Sequence, residues 1–204
     1  QQVERIKIGS DFESARRKLK KLDGEVREAL FKIARGKRVA YFTTGHGELY
    51  WGSDEPVAHK TGSLRKILKA LNYKVEELTL ADGSAVAVPE DASVVFILGA
   101  ESEFLPEELK ALDAYRRHGG SLLIGLEPGG ADLSALLGPM GMKFRGDLTL
   151  ANDTKFVPAA YAPIDRANVI TNKYSTHPSV TTLSRNSQTM VFIQSVAGAL
   201  EEIE

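Results

Sequence analysis

Three segments of this 204-residue chain carry side chains whose types and spacing could do chemistry. The first is Gly45-His46-Gly47-Glu48. Two glycines let the backbone turn sharply and approach a ligand, while His46 and Glu48 supply an imidazole and a carboxylate. Set in an outward loop, the pair would bind a partner and contribute little to stability. The competing reading is a glycine turn whose His and Glu satisfy nearby backbone groups. The second is Gly125-Leu126-Glu127-Pro128-Gly129, which has the G-x-nucleophile-x-G spacing of the strand–turn–helix elbow of hydrolases and amidotransferases. Its central residue is Glu127, a poor nucleophile for acyl transfer, so a carboxylate held near a helix N-terminus is the expected role. The third is His177-Pro178. A residue before proline is held extended, which could aim the ring into a cleft, with Asp132 or Asp153 as a partner.

The elements that must position these groups follow from periodicity. Val39-Ala40-Tyr41-Phe42 and Val94-Val95-Phe96-Ile97-Leu98 are continuous apolar runs, as in strands covered on both faces. Leu122-Leu123-Ile124 is a third such run, and Lys74–Leu80 is a weaker, edge-like strand of mixed polarity. Helices are expected between them. Ser63 caps one bearing Leu64, Ile67, Leu68 and Leu71 on a single stripe. Pro106 opens another, with Glu107 and Glu108 in its first turn, Arg116, Arg117 and His118 in its last, and Gly119 after it. Asp132 caps a short helix through Leu137. Upstream, residues 11–22 form an amphipathic helix capped by Ser10, interrupted by Gly24 and followed by a second helix ending at Gly36.

Alternating strands and helices predict an α/β fold, a parallel sheet with helices on both faces. In such a sheet ligands bind beyond the carboxyl ends of the strands, so Gly45 and Gly125 should share one rim. Beyond Gly138 the pattern weakens to short strands and loops punctuated by Pro158 and Pro163, with Met190-Val191-Phe192-Ile193 as the last strand. The expected division is a helical tail over 1–35, belonging to a preceding segment, and an α/β domain over 36–204.

Composition narrows the function classes. A chain of this size buries roughly 70% of its unfolded surface and needs no staple. It contains no cysteine, which excludes a thiol nucleophile, a Cys-ligated zinc site and a disulfide framework. The net charge of −1 gives no support to nucleic-acid binding. It conceals an asymmetry, since residues 1–40 hold twelve Lys/Arg against six Asp/Glu, and we read this as a solvated helix face. No apolar run approaches the length of a membrane span, and no signal peptide is visible. The chain opens on Gln1 rather than Met, so a piece of a longer protein is expected, with any membrane anchor outside it. The glycines form neither a P-loop nor a dinucleotide fingerprint, and neither cofactor nor metal is expected.

The run Arg38–Glu48, ending in Gly-His-Gly-Glu, resembles the start of the auxiliary domain of GldG-like proteins of gliding-motility and uncharacterised ABC transport systems. Similar to that family too are Leu64–Leu80, the Val88-Pro89-Glu90-Asp91-Ala92 approach to a buried strand, Leu105–Gly120, and Tyr174–Pro178. The resemblance spans roughly residues 30–200, the length of one typical domain. It implies a flavodoxin-like, class I glutamine-amidotransferase-like fold in which Glu127 replaces the nucleophile and His177 echoes the later histidine. It also implies a non-catalytic binding or assembly module at the periplasmic or extracytoplasmic membrane face, tethered by segments outside this chain. The partners would be ABC permease and ATPase subunits, and the binding residues Gly45, His46, Gly47, Glu48, Glu127 and His177. The alternative is a hydrolase or sugar-binding domain acting on a glycan or peptide through His46, Glu48 and Glu127.

Overall fold

A computed structural model describes residues 6–7, 10–34, 36, 38–50, 61–80, 87–152 and 166–203. The chain divides into two compact units, Gln1–Ala100 with Phe104–Gly125, and Glu101–Glu103 with Leu126–Glu204. This division falls within the stretch that the sequence pattern treats as one domain.

The first unit holds helices α1 (Phe12–Leu19), α2 (Leu22–Ala34), α3 (Gly62–Ala70) and α4 (Pro106–Arg117). Its sheet comprises β1 (Arg38–Thr44), β2 (Tyr73–Thr79), β3 (Ala92–Leu98) and β4 (Leu122–Gly125). All four strands are parallel, in the order β2-β1-β3-β4. That order is the first four places of the flavodoxin-like arrangement 2-1-3-4-5. The fold is therefore α/β, as the alternation of strands and helices predicts. β2 is an edge strand, as its mixed polarity suggests.

Burial explains why the strands are so apolar. Successive side chains on β3 point to opposite faces, and Val95, Phe96 and Ile97 are all buried, so both faces of the sheet are covered. Phe42 stacks on Phe96 with ring centroids 4.5 Å apart. Ala40, Leu68 and Val75 complete that cluster, with Leu64 and Tyr73 at its margin. Leu112 of α4 is fully buried.

Several local expectations are corrected. Asp11, not Ser10, caps α1, because its carboxylate accepts the Ser14 N–H at 2.8 Å. Gly24 does not interrupt a helix; α2 runs through it, and the joint lies at Lys20-Lys21. α3 begins one residue before Ser63, after Thr61, with no side-chain cap.

The second unit holds α5 (Ser134–Leu137), α6 (Thr181–Arg185) and four short strands. β5 (Met142–Arg145) pairs antiparallel with β8 (Ala199–Glu202), and β6 (Asn168–Thr171) with β7 (Phe192–Ser195). The strand expected at Met190–Ile193 lies two residues further on, and β8 follows it. Pro158 and Pro163 lie outside the described residues.

Candidate functional site

Because the sheet is parallel, the carboxyl ends of β1, β3 and β4 form one rim, and Gly45 and Gly125 both lie on it. Backbone hydrogen bonds knit this rim together. The Leu49 N–H donates to the Leu98 carbonyl at 2.8 Å, and the Gly99 N–H to the Gly125 carbonyl at 2.9 Å. Connections leave β1 and β3 in opposite directions across the sheet, one toward β2 and the other toward β4. The Gly-His-Gly-Glu loop thus sits at the topological switch point, where ligands of open α/β sheets bind.

The loop turns inward. Gly45 and Gly47 take φ of +118° and +79°, a region that side chains with a Cβ rarely adopt. These two turns leave the glycines exposed and drive His46 and Glu48 into the interior, at 6% and 7% exposure. Glu48 reaches back to accept the His46 backbone N–H at 2.7 Å through Oε2, and its Oε1 lies 3.3 Å from His46 Nδ1. On the far side of the ring, His46 Nε2 lies 3.1 Å from Glu108 Oε2. Phe104 stacks on the imidazole with centroids 4.0 Å apart. Sequence spacing suggested an outward imidazole available to a ligand; the structure corrects this to a buried one, held on both nitrogens and covered by an aromatic ring.

Glu108 is the member that sequence reasoning missed. Its place in the first turn of α4 reads as a helix-dipole residue, and part of its role is that. Its Oε2 accepts the Leu105 N–H at 2.6 Å, the returning half of a capping box, whereas Leu105 offers no side-chain acceptor. Yet Glu108 is 0% exposed, and its Oε1 has no hydrogen-bond partner among the described residues. The Pro106-Glu107-Glu108 pattern announces the cap; nothing in it announces a histidine sixty-two positions away.

The chemistry of the cluster follows from its donors. Both ring nitrogens face carboxylate oxygens, so an imidazolium satisfies both contacts while a neutral ring needs one carboxyl protonated. A general base must offer a nitrogen within reach of a substrate proton. Here each nitrogen is already engaged by a buried carboxylate. No group of three or more His, Cys, Asp and Glu among the described residues is arranged to hold a metal ion.

Beside the cluster, on the exposed side of the loop, lies a recess of about 290 Å³. It is lined by Thr44, Gly45, Gly47, Glu48, Tyr50 and Glu77. The Tyr50 phenol donates a hydrogen bond to the Glu77 carboxylate, and this contact pushes the phenol up to about 12. Thr44 pairs its hydroxyl with that of Thr79 at 3.0 Å.

Glu127 and His177 belong to the second unit. Glu127 is exposed, and its carbonyl closes a turn by accepting the Gly130 N–H at 3.0 Å. No helix opens until Ser134, so the elbow expected from the spacing is not built and Glu127 sits at no helix N-terminus. His177 is extended, as the following proline requires, but its ring folds back on its own turn. Nδ1 lies 2.8 Å from the Ser179 hydroxyl and accepts the Ser179 N–H at 3.3 Å. Asp132 bonds to Ser134 rather than to His177, and Asp153 lies outside the described residues.

No protein-family model matches the chain, and no curated protein matches it. Solved structures do. The mmIFT52 N-terminal domain is 19% identical, with a TM-score of 0.58 over 81% of this chain and 68% of that one. What the two share is the fold.

Proposed function

We propose that the chain is a non-catalytic recognition and assembly module, working at the extracytoplasmic membrane face in a GldG-like ABC transport or gliding-motility complex. The observation that carries the non-catalytic part is the state of His46. An imidazole clamped between two buried carboxylates and stacked on Phe104 holds a loop in shape and presents no nitrogen to a substrate. Glu48, His46 and Glu108 then tie the β1 loop to α4 from inside, so that Gly45 and Gly47 keep their exposed backbone fixed. Recognition falls to the outer surface, where Thr44, Tyr50 and Glu77 surround the recess. The membrane setting and the permease and ATPase partners rest on the sequence resemblance.

Co-purification of the membrane-embedded protein with ABC permease and ATPase subunits tests this reading. Glu77→Lys should cut recovery of the partners at least about tenfold, a loss of roughly 1.4 kcal/mol, while the far-UV spectrum stays unchanged. Undiminished recovery would remove the recess from the binding face. Hydrolysis of a glycoside or peptide by the purified chain, abolished by Glu48→Gln, would reinstate the hydrolase reading.

A further inference from the structure

The basic N-terminal segment poses a separate question, because several of its large apolar residues are exposed. α1 has no buried residue, and Phe12 and Leu30 are 78% and 60% exposed. Leu19 and Val26 are exposed as well. The expectation of a solvated polar face accounts for the charges and leaves this stripe unexplained.

The stripe has a strict period. Phe12, Leu19 and Val26 are seven residues apart, and the sequence continues the series at Ile33. Ala15, Leu22 and Ala29 fall three residues after each. These are the a and d positions of successive heptads, apolar at every place, and Leu30 at an e position widens the seam. Seven-residue periodicity of this kind marks a helix that packs against another along a coiled-coil seam. At the joint between α1 and α2 the Lys21 N–H bonds to the Lys18 carbonyl at 3.0 Å, a tightened turn, and the proposed pairing carries the register across it. Lys20 stays right-handed helical (φ −63°, ψ −22°) and the Glu25 N–H bonds to the Lys21 carbonyl at 3.1 Å. Gly24, the residue least suited to a packed position, falls at f, facing away from the seam.

We propose that α1 and α2 form one strand of a parallel, in-register coiled coil with a second copy of this chain. The flanking charges select that occupant. In a parallel pair each g residue faces the e residue five positions later in the other helix. Asp11 then meets Arg16, and Lys18 meets Asp23, so both fully charged g–e pairs are of opposite sign. Within one chain Lys18 is held by Glu25 at 2.5 Å, and pairing exchanges this partner for Asp23 of the second copy. An anionic lipid surface is the other natural partner of a basic amphipathic helix. It fits less well, since Asp11, Asp23 and Glu25 line the borders of the apolar stripe, where a lipid headgroup would meet like charge.

The whole chain is suited to a direct test because it contains no cysteine. Val26→Cys, at a seam position that meets its own counterpart, should give a disulfide-linked dimer on mild oxidation, whereas Arg17→Cys, at f, should not. Sedimentation should show reversible self-association that Leu19→Asp weakens at least about tenfold. Lys18→Glu should weaken it too, and Lys18→Glu with Asp23→Lys should restore it, a rescue that loss of folding would not give. The proposal is overturned if the chain stays monomeric up to about 1 mM. It is overturned equally if Leu19→Asp leaves a dimer intact, if the two cysteine variants cross-link alike, or if the monomer pellets with phosphatidylserine vesicles through this segment.

Discussion

The four-stranded sheet and the two antiparallel ribbons of the same chain use strands in opposite ways. β1 and β3 are the central strands, buried on both faces and paired on both edges over much of their length. Among the described strands β6 and β7 pair only with each other, and Ile170, Phe192 and Ile193 on them are exposed. A two-stranded ribbon is marginal in water by itself, whereas a sheet with covered faces gains stability from every apolar side chain. Apolar residues in a strand therefore do not have one meaning. In β3 they are core; in β7 they are surface.

The sharpest way to break this comparison is to remove one phenylalanine from each region. Phe42 is 1% exposed and stacked on Phe96, so Phe42→Ala should cost about 3–5 kcal/mol in chemical denaturation. Phe192 is 50% exposed, and Phe192→Ala should cost less than about 1 kcal/mol. Equal losses would mean that the ribbon carries a core of its own.

The carboxylate–imidazole–carboxylate cluster comes next. Glu108→Gln keeps an acceptor for the Leu105 N–H but puts an amide where a carboxyl group faces His46, and should destabilise by about 1–3 kcal/mol. His46→Ala leaves Glu48 and Glu108 buried without the ring nitrogens that they face, and should cost at least as much. An unchanged melting temperature for both variants would return the loop to the surface role that its sequence suggested. Hydrogen exchange extends the contrast to the backbone: amides of β6 and β7 should exchange at least about a hundredfold faster than those of β1 and β3.

These contrasts also explain what the sequence made legible. The runs at Val39–Phe42 and Val94–Leu98 declare buried strands because both faces are covered. Pro106 and Gly119 bracket α4 because proline fits a helix start and glycine its end. The ribbons were obscure for physical reasons. β8 reads Ala-Leu-Glu-Glu, with no β-branched residue, and is set by pairing with β5 rather than by propensity. Within the site, Gly45 and Gly47 were visible as turn residues, but the direction of the turn was not. An inward His46 depends on Glu108 and Phe104, contributed from beyond β3, and no local pattern reports that meeting. Gly24 misled in the other direction. Glycine's low helix propensity predicts a break there, yet a helix accommodates it at a cost of about 1 kcal/mol relative to alanine. Nothing lies within 4 Å of where its Cβ would sit, so Gly24→Ala should raise stability by about 0.5–1 kcal/mol. A loss of stability would show that the glycine is needed for its shape.

The smallest effect expected is a titration at the rim. The Tyr50 phenol donates to Glu77, and ionising it would place two negative charges together; this hydrogen bond, with partial burial added, raises the phenol to about 12. A group whose folded pKa is raised contributes stability that is complete below its unfolded value near 10. That contribution is lost as the pH climbs from there through about 12. Difference absorbance between the wild-type chain and Tyr50→Phe isolates this one phenol from the other five tyrosines. Its midpoint should lie near 12, and Glu77→Gln should move it down toward 10, because an amide accepts the hydrogen bond without repelling the phenolate. A Tyr50 midpoint already near 10 in the wild-type chain would dissolve the Tyr50–Glu77 contact in solution. It would also leave the recess with a mobile wall, and the contrast between a fixed rim and exposed ribbons would then stop short of the rim's outer surface.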